Sequence, residues 1–385
     1  MKRIAFDAAP LVGDHISGIG YCEAGLVEAM TRLHPELQYR FEYFSLRTPE
    51  EKRRRLAPFR KENIPLRTAF CSPLAYRTLS SVIPVPYSAF FGKWADVTHF
   101  FNYITPPGVH GKTVVTVHDM VIHAYPETVR LRTRQMLRLG LRQSMQRADC
   151  IVTDSEFSKR EIAKYYPEYA KKVRVVPCGV DNTRFYPVED EQNIAQVKQA
   201  HGIEGDYFLY LGTLEPRKNL PRLIEAYALL CKEQEHPPKL VLAGGKGWMY
   251  DSIFETVTAL GLEQQVCFPE YIPSEDLAAL YSGALAFVFP SLYEGFGMPP
   301  LEAMACGTPV LTSNAASLPE VVGDAAVLVN PYRVEAIAKG MQAILTDPAL
   351  RQRMRQRGLA RAKQFSWDAA AKLLYQIYCD VAENE

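Results

Sequence analysis

The sequence lacks the features of several specialised protein classes. Its eight cysteines include no C-x-x-C pair, and no apolar run approaches the ~18 residues that a membrane span needs. The opening stretch, MKRIAFDAAPLVGD, lacks the long apolar segment of a signal peptide and predicts a first strand instead. We therefore expect reduced thiols, with neither a disulfide framework nor a zinc site, in a cytoplasmic protein.

Motifs of two common nucleotide-binding classes are also missing. A nicotinamide dehydrogenase would carry G-x-G-x-x-G after a strand, and neither GIGYCEAG nor AGGKGW has that spacing. AGGKGW also lacks the G-x-x-x-x-G-K-[ST] pattern of a P-loop. The chain contains no D-x-D metal motif and no recognised nucleic-acid-binding motif.

The net charge is close to zero, but it is unevenly distributed. Residues 1–184 carry 28 Lys and Arg against 18 Asp and Glu, a net charge of +10, and the rest of the chain carries −9. A basic half joined to an acidic half suggests that one half meets an anionic partner. A phosphorylated substrate and an anionic membrane surface both fit this asymmetry.

A length of 385 residues with 48% hydrophobic content predicts two domains. Short apolar strands alternate with longer amphipathic stretches, which is typical of parallel α/β sheets. The predicted strands are RIAFDA, YRFEYFS, DVTHFF, TVVTVH, CIVTDS and VRVVP, then YFLYLGT, KLVLAG, QVCFPE, LAFVFP, PVLTS and AVLVN. The polar stretch FYPVEDEQN predicts a boundary, giving domains 1–186 and 187–365. Ligands of such sheets bind beyond the carboxyl ends of strands.

The segment SLYEGFGMPPLEAMACGTPV follows one of these strands. Gly295 and Gly297 would let backbone N–H groups approach a ligand without a Cβ in the way. Pro299 suits the first turn of a helix, and Gly307 suits its end. Strand, glycine turn and helix N-terminus together predict an anion site.

Two glutamates, Glu294 and Glu302, flank that turn. Glu302 is expected in the first turn of the helix, where it would favour the helix dipole, and Glu294 alone would be an ordinary solvated carboxylate. Together they suggest two acceptors for sugar hydroxyls on either side of a phosphate site.

A second strand, turn and helix occurs in YFLYLGTLEPRKNLPRLIEAYALL. Arg217 and Lys218 precede Asn219, the expected N-cap of the helix. Cations near the positive end of a helix are unfavourable unless an anion neutralises them. Surface cations are common, but this pair at a strand end indicates a diphosphate site.

These stretches resemble the retaining glycosyltransferases of family 4, which have the α/β GT-B fold: two Rossmann-like, doubly wound parallel-sheet domains facing a cleft. SLYEGFGMPPLEAMACGTPV resembles that family's E-x₇-E motif, and YLGTLEPRKNL resembles its R-K donor-phosphate motif. VVPCGVD is similar to its V-I-P-N-G-V-D, with Cys178 in place of the usual Asn. FSWDAA resembles the start of the terminal helix, which implies that 366–385 pack back on the first, acceptor-binding domain.

The resemblance implies roles in donor binding for the second domain. Glu302 would hold the donor ribose, and Glu294 would bind hydroxyls of the transferred sugar. Backbone groups of Phe296, Gly297 and Met298 would contact the sugar or the diphosphate. The sugar implied first is mannose from GDP-mannose, and UDP-glucose and UDP-N-acetylglucosamine are the alternatives.

The resemblance also implies which residues act in the reaction. Arg217 and Lys218 would neutralise the diphosphate as its charge grows, so that no metal or other cofactor is required. His118 would touch the donor sugar, although a lone histidine is more often structural. Asp119 would orient His118 or meet the acceptor.

Three segments of the first domain are interpreted in the same way. Gly18 and Gly20 resemble the family's glycine loop over the diphosphate, and they would equally suit a flexible loop. Ser155 or Ser158 is expected to cap a helix. A stripe of arginines at 130, 134, 138 and 142, with the basic stretch EKRRRLAPFRK and the aromatic VIPVPYSAFFGKW, would suit an anionic membrane.

We therefore expect a hexosyltransferase of surface polysaccharide synthesis. Its acceptor would be a glycan or a lipid-linked oligosaccharide, and no nucleic-acid partner is expected. The enzyme would be cytoplasmic, with possible peripheral contact with the inner face of the membrane. The alternative from another class is an inactive GT-B subunit that only binds a sugar nucleotide.

Overall fold

The computed structural model describes residues 1–12, 17–46, 56–57, 64–72, 76 and 85–383. The chain divides into two compact units. The first contains Met1–Ala124, Leu131–Gly179 and Ser366–Glu385, and the second contains Tyr125–Arg130 and Val180–Phe365.

A seven-stranded parallel sheet forms the core of the first unit, in the order β3-β2-β1-β4-β5-β6-β7. Its strands are β1 Arg3–Asp7, β2 Gln38–Phe44, β3 Leu66–Ala69, β4 Val97–Phe100, β5 Lys112–Thr116, β6 Cys150–Thr153 and β7 Val173–Val175. The order along the sheet reverses between β1 and β4, which makes this pair a switch point where such sheets bind ligands.

A six-stranded parallel sheet forms the core of the second unit, in the order β10-β9-β8-β11-β12-β13. Its strands are β8 Tyr207–Leu211, β9 Lys239–Ala243, β10 Val266–Cys267, β11 Ala286–Phe289, β12 Val310–Ser313 and β13 Ala326–Val329. Its switch point lies between β8 and β11, the strands that precede the R-K stretch and the glutamate stretch.

Helices follow most of the strands. In the first unit they are α1 Gly18–Leu33, α2 Ser88–Phe91, α3 Val121–Ala124, α4 Leu131–Arg147 and α5 Glu156–Tyr165. In the second unit they are α6 Glu191–Ala200, α7 Leu220–Lys232, α8 Asp251–Ala259, α9 Leu277–Ser282, α10 Met298–Ala305, α11 Leu318–Val322, α12 Val334–Thr346 and α13 Pro348–Ala362. The last helix, α14 Trp367–Glu383, belongs to the first unit. Among the described helices, none combines the length and the apolar character needed to cross a bilayer.

Helix α14 packs against α1 through a glycine contact. A Cβ added to Gly25 would lie 2.3 Å from the indole ring of Trp367, so only glycine fits there without rearrangement. Further along α14, the hydroxyl of Tyr378 lies 2.6 Å from Nδ1 of His99 in β4. The half-buried Gly25–Trp367 contact and the buried His99–Tyr378 contact fix α14 to both the helix and the sheet of the first unit.

The unit boundaries differ from the predicted break after residue 186. The chain leaves the first unit after Gly179, because the following stretch already packs on the second unit, where the Phe185 ring lies 6.0 Å from the Tyr281 ring. The segment Tyr125–Arg130 also belongs to the second unit: Trp248 Nε1 donates to the Thr128 carbonyl at 2.8 Å. Composition marked the polar linker but carried no sign of these side-chain contacts.

Strand β3 was not predicted from the sequence. Leu66–Ala69 lies at the edge of the sheet, and only Ala69 is buried in it. An edge strand with only one buried side chain lacks the apolar run by which the other strands were recognised.

The expected arginine stripe is interrupted in the structure. Arg130 precedes α4 and stacks over the Trp248 ring in the second unit, with its guanidinium carbon 4.9 Å from the ring centroid. Arg142 pairs with Glu168 at 2.8 Å. The run of basic residues at 52–55 lies outside the described residues.

Candidate active site

The loops that follow β8 and β11 meet at the switch point of the second unit. A short 3-10 helix, Pro216–Lys218, follows β8, and the glycine turn follows β11. The amide of Leu292 donates to the Arg217 carbonyl at 2.9 Å, which joins the two loops. Parallel neighbours end at the same edge of a sheet, so side chains far apart in sequence come together here.

Four charged side chains form an ion cluster between these loops, which we call the R-K-E cluster: Glu215, Arg217, Lys218 and Glu294. Lys218 Nζ lies 2.7 Å from one carboxylate oxygen of Glu294, and Arg217 Nη1 lies 2.6 Å from the other. Arg217 Nη2 pairs with Glu215 at 2.7 Å. Lys218 and Glu294 are each 8% exposed, so both charges of that pair are shielded from water.

The electrostatics of the cluster keep Glu294 ionised. Burial alone would raise the pKa of Glu294, but the charges of Arg217 and Lys218 outweigh it and lower the pKa to about 2. Burial and the nearby Arg217 charge lower the pKa of Lys218 from its ordinary value. The cluster contains two cations and two carboxylates, so its side-chain charges cancel when all four are ionised.

The structure corrects one premise of the sequence argument. The cations before helix α7 were expected to need the anion of a ligand, whereas the protein itself supplies anions through Glu215 and Glu294. The sequence analysis missed Glu215, which is 4% exposed and lies two positions before Arg217. The short spacing between Glu215 and Arg217 in LEPRKNL could have predicted that the two side chains pair.

Asn219 also differs from its expected role as a side-chain N-cap. Its backbone is left-handed, with φ 64°, and its side chain makes no capping hydrogen bond. Instead, its amide nitrogen donates to the carbonyls of Pro290 at 3.1 Å and Pro331 at 2.7 Å. Asn219 therefore ties the loop after β8 to the ends of β11 and β13.

The glycine turn leads into α10 as predicted. Gly297 has φ 121°, in a region that favours glycine, and an added Cβ would lie 2.8 Å from the Leu318 side chain. The Ser317 hydroxyl lies 2.9 Å from the Glu294 carbonyl and 2.6 Å from the Phe296 carbonyl, which fixes the turn. The Phe296 side chain is buried against Phe365, so its backbone is the part available to a ligand. Gly307, with φ 75°, follows the end of the helix.

Glu302 lies deeper in α10 than expected. The first turn of α10, which begins at Met298, contains no acidic residue, so the interpretation of Glu302 as a dipole or capping residue is wrong. Its carboxylate accepts a hydrogen bond from the Tyr281 hydroxyl at 3.1 Å. Burial raises the pKa of Glu302 to about 7, partly offset by Tyr281 and by the charge of Arg184. Glu302 and Glu294 therefore occupy opposite electrostatic environments.

In the first unit, His118 follows β5 and pairs with Asp154, which follows β6. Nδ1 of His118 lies 2.7 Å from Oδ2 of Asp154, and Nε2 lies 2.8 Å from the Phe101 carbonyl. Burial alone would lower the pKa of His118, but the Asp154 carboxylate outweighs it and raises the pKa to about 10. The ring is therefore an imidazolium that donates both N–H groups within the first unit.

Asp119 does not orient His118. Its carboxylate accepts from the backbone amide of Val121 at 3.0 Å, at the start of the short helix α3. Asp154 takes the orienting position instead, and the sequence analysis did not single it out. The pairing depends on β5 and β6 being neighbours in the sheet, which one sequence does not reveal.

The two glycines near the N-terminus lie inside a helix. Gly18 is the first residue of α1, and Gly20 is buried in its first turn, so the expected loop is not formed by them. Residues 13–16, which precede the helix, lie outside the described residues. Ser155 caps α5 as expected, since its side chain accepts from the Ser158 amide at 3.0 Å.

Family models match both halves of the chain. The model for "Glycosyltransferase Family 4" matches residues 26–184, and the model for "Glycosyl transferases group 1" matches residues 192–361.

Relatives and solved structures agree with these matches. The O-antigen chain mannosyltransferase B of Escherichia coli is 37% identical over 71% of this chain and 71% of its own length. The serotype-specific mannosyltransferase WbdA of Escherichia coli is 33% identical over 70% of this chain, which spans only 34% of that longer protein. The sucrose-phosphate synthase of Thermosynechococcus elongatus has the same fold, with a TM-score of 0.76 at 23% identity over 99% of both chains.

Three findings lead to one assignment: the two parallel-sheet α/β units, the family-model matches in both halves of the chain, and a relative aligned over most of its length. The chain belongs to glycosyltransferase family 4, with the GT-B fold, and is a glycosyltransferase of polysaccharide synthesis.

Proposed function

We propose that this protein transfers mannose from GDP-mannose to a glycan or lipid-linked oligosaccharide acceptor in O-antigen-like polysaccharide synthesis, with retention of configuration. The observation that carries the proposal is the R-K-E cluster at the switch point between β8 and β11. The choice of mannose is supported by the mannosyltransferases of O-antigen chains among the relatives.

The cluster suits a diphosphate whose charge increases during the reaction. Arg217 and Lys218 are held in place by Glu294, so their positions are fixed before a donor binds. Breaking the bond between the sugar and the diphosphate leaves one more negative charge on the leaving group. Preorganised cations beside that charge stabilise the transition state, and this role is assigned to Arg217 and Lys218 without a metal ion.

Glu294 would have two tasks in this arrangement. Its ionised carboxylate holds the two cations, and its remaining acceptor capacity would receive hydroxyl hydrogen bonds from the sugar. Because the side-chain charges of the cluster cancel, the N-terminal end of α10 would supply part of the attraction for the diphosphate.

The proposed transfer is balanced without a protein nucleophile. The bond between the anomeric carbon and the diphosphate oxygen breaks, and the acceptor oxygen bonds to the same face of that carbon. The acceptor proton passes to an oxygen of the leaving diphosphate. His118 enters this scheme through the family resemblance, and for its Nε2 to bind the sugar it would exchange the Phe101 carbonyl for a hydroxyl.

Glu302 is proposed to hold the donor ribose. A carboxylate accepts two hydroxyl hydrogen bonds, which suits a ribose diol. The pKa of about 7 means that part of the population is protonated at neutral pH, and two new hydroxyl donors would favour the ionised form.

Helix α4 is the surface proposed to meet an anionic membrane carrying the acceptor. It contains no Asp or Glu, and its exposed arginines include Arg132 and Arg138. Exposed apolar side chains lie next to or between these arginines, with Leu139 79% exposed, Leu131 57% and Met136 39%. Apolar side chains flanked by arginines suit insertion among anionic headgroups.

Release of nucleoside diphosphate tests the function. The purified protein is incubated with GDP-mannose, UDP-glucose and UDP-N-acetylglucosamine, with and without added Mg²⁺, and product configuration is determined by NMR. We expect turnover with GDP-mannose that added Mg²⁺ does not increase, and a fall of roughly 10²–10³ in kcat for Arg217→Ala. The matched control is Arg333→Ala, an exposed arginine at the start of α12.

Other outcomes would assign a different function. Turnover with a UDP-sugar would replace GDP-mannose as the donor. Stabilisation of the protein by GDP or UDP in a thermal shift assay, without turnover, would favour the inactive binding subunit. Unchanged turnover in both Arg217→Ala and Glu294→Gln would contradict the assignment of the site.

A further inference from the structure

A second cluster of polar side chains lies in the first unit, where four chain segments meet. Its members are Cys22 in α1, His118 after β5, Asp154 after β6 and Cys178 after β7. All four are buried, with exposures of 3%, 8%, 5% and 3% in that order. One ligand atom from each of Cys22, His118 and Asp154 lies within 4.8 Å of the others, and the sulfurs of Cys22 and Cys178 are 3.5 Å apart.

We infer that these four side chains form a structural zinc site, which we call the four-ligand site. Two sulfurs, an imidazole nitrogen and a carboxylate oxygen are the donor types that zinc binds in tetrahedral protein sites. Four protein ligands leave no open position for a substrate, so the ion would hold the fold together rather than take part in catalysis.

The surroundings of His118 fit a metal ligand. Histidines that bind metals usually donate their other ring N–H to a carbonyl or a carboxylate, which fixes the ring. Here Nε2 donates to the Phe101 carbonyl at 2.8 Å, and Nδ1 faces Asp154 in the cluster. Nδ1 would be the ligand atom, with its orientation already set.

Movement of Cys178 would complete the coordination sphere, because among the described residues the ligand atoms that lie within 4.8 Å of one another belong to Cys22, His118 and Asp154. Zinc bonds of about 2.0–2.3 Å place neighbouring tetrahedral ligands roughly 3.3–3.8 Å apart. The two sulfurs, 3.5 Å apart, are already within that range. Nδ1 of His118 and Oδ2 of Asp154, now 2.7 Å apart as hydrogen-bond partners, would separate slightly. The ion would replace three protons, two from the thiols and one from Nδ1.

The four segments explain what such an ion would do for the fold. Cys22 belongs to α1, whereas the other three ligands follow adjacent strands of the sheet. One ion would therefore fix α1 to the carboxyl ends of β5, β6 and β7, where His118 lies. The four-ligand site uses residues of the first unit alone, whereas the R-K-E cluster belongs to the second, so separate measurements test the two proposals.

Zinc content tests the inference directly. The full chain is purified without a metal-affinity tag or a chelator, and zinc is measured by inductively coupled plasma mass spectrometry. We expect about one zinc per chain in the wild type and less than about one fifth of that in Cys22→Ser/Cys178→Ser. The matched control is Cys231→Ser/Cys267→Ser, which replaces two half-buried cysteines of the second unit and should keep the zinc.

A second measurement guards against a variant that fails to fold. Asp154→Asn keeps the size of the side chain and should lower zinc content while circular dichroism stays native-like. The inference is overturned if the wild type neither contains zinc nor takes up one equivalent on refolding with zinc chloride. The inference is also overturned if zinc content is unchanged in Cys22→Ser/Cys178→Ser or in Asp154→Asn. A Cys22–Cys178 disulfide instead of zinc, found by peptide mass spectrometry, would overturn it as well.

Discussion

Nζ of Lys218 lies 2.7 Å from Oε1 of Glu294, and both side chains are almost completely buried. The two residues follow different strands, β8 and β11, and their ion pair joins the loops that these strands position. Breaking such a pair leaves one charge buried without its partner, which costs more than the pair itself contributes.

We predict that Glu294→Gln lowers the free energy of unfolding by about 3 kcal/mol, because Arg217 and Lys218 lose their shared carboxylate. Denaturant unfolding measures the change. A double-mutant cycle of Glu294→Gln with Lys218→Gln should give a coupling energy on the order of 1–3 kcal/mol between the two side chains. The control, Asp324→Asn, breaks an exposed pair with Arg357 and should cost less than about 1 kcal/mol. Equal losses in both variants would contradict a buried network.

The pKa of Glu302 predicts a pH dependence of nucleotide binding. Ribose hydroxyls donate to the ionised carboxylate, whose fraction increases as pH rises through a pKa of about 7. The affinity for GDP should therefore rise up to roughly tenfold between about pH 6 and pH 8. Calorimetric titration of the wild type and Glu302→Gln checks this, since the phosphate ionisation of GDP is common to both. The same slope in the variant would remove Glu302 from the ribose site.

Glu302 should also make the stability of the protein depend on pH, in the direction opposite to the affinity for GDP. Its folded-state pKa lies above the ordinary value, so its stabilising contribution is complete below that ordinary value. The contribution is lost as pH rises through about 7. Without nucleotide, Glu302→Gln should therefore lose less stability than the wild type between pH 5 and pH 8, as measured by urea unfolding at each pH.

The contact between α1 and α14 predicts a large effect from a single methyl group. Gly25→Ala would place a Cβ 2.3 Å from the Trp367 ring, so the helices must separate or the indole must rotate. We expect a loss of about 1–3 kcal/mol and a changed tryptophan emission spectrum. Gly18→Ala, in the same helix, meets nothing within 4 Å and should be neutral or slightly stabilising. A neutral Gly25→Ala would show that the contact is loose.

Membrane binding through α4 is tested by removing its exposed apolar side chains. Met136→Gln/Leu139→Gln should reduce sedimentation with phosphatidylglycerol vesicles several-fold at about 0.15 M salt, where the attraction of the remaining arginines is screened. Leu260→Gln, at the end of α8 and 42% exposed, is the matched control. Wild-type protein that ignores these vesicles, or a variant that binds like the wild type, would contradict the proposal.

Local patterns predicted the strand, glycine turn and helix around Glu294, because a buried strand and a glycine turn leave strong traces in a single segment. The partners of the charged residues were not predictable in the same way. Asp154 and Tyr281 acquire their roles from strand order and side-chain direction, which arise only in the folded chain, whereas the spacing of Glu215 from Arg217 was visible in the sequence. The four-ligand site is the extreme case, since its ligands come from four segments and no spacing rule connects them.

The place of α14 has a consequence for the order in which the protein is made. Ser366–Glu385 belongs to the first unit, yet the ribosome adds it only after Val180–Phe365 has been synthesised. Until then, Gly25 in α1 lacks its contact with Trp367, and His99 lacks its contact with Tyr378. A nascent chain should therefore complete its second unit before its first, and the half that begins the polypeptide should be the last to resist proteolysis.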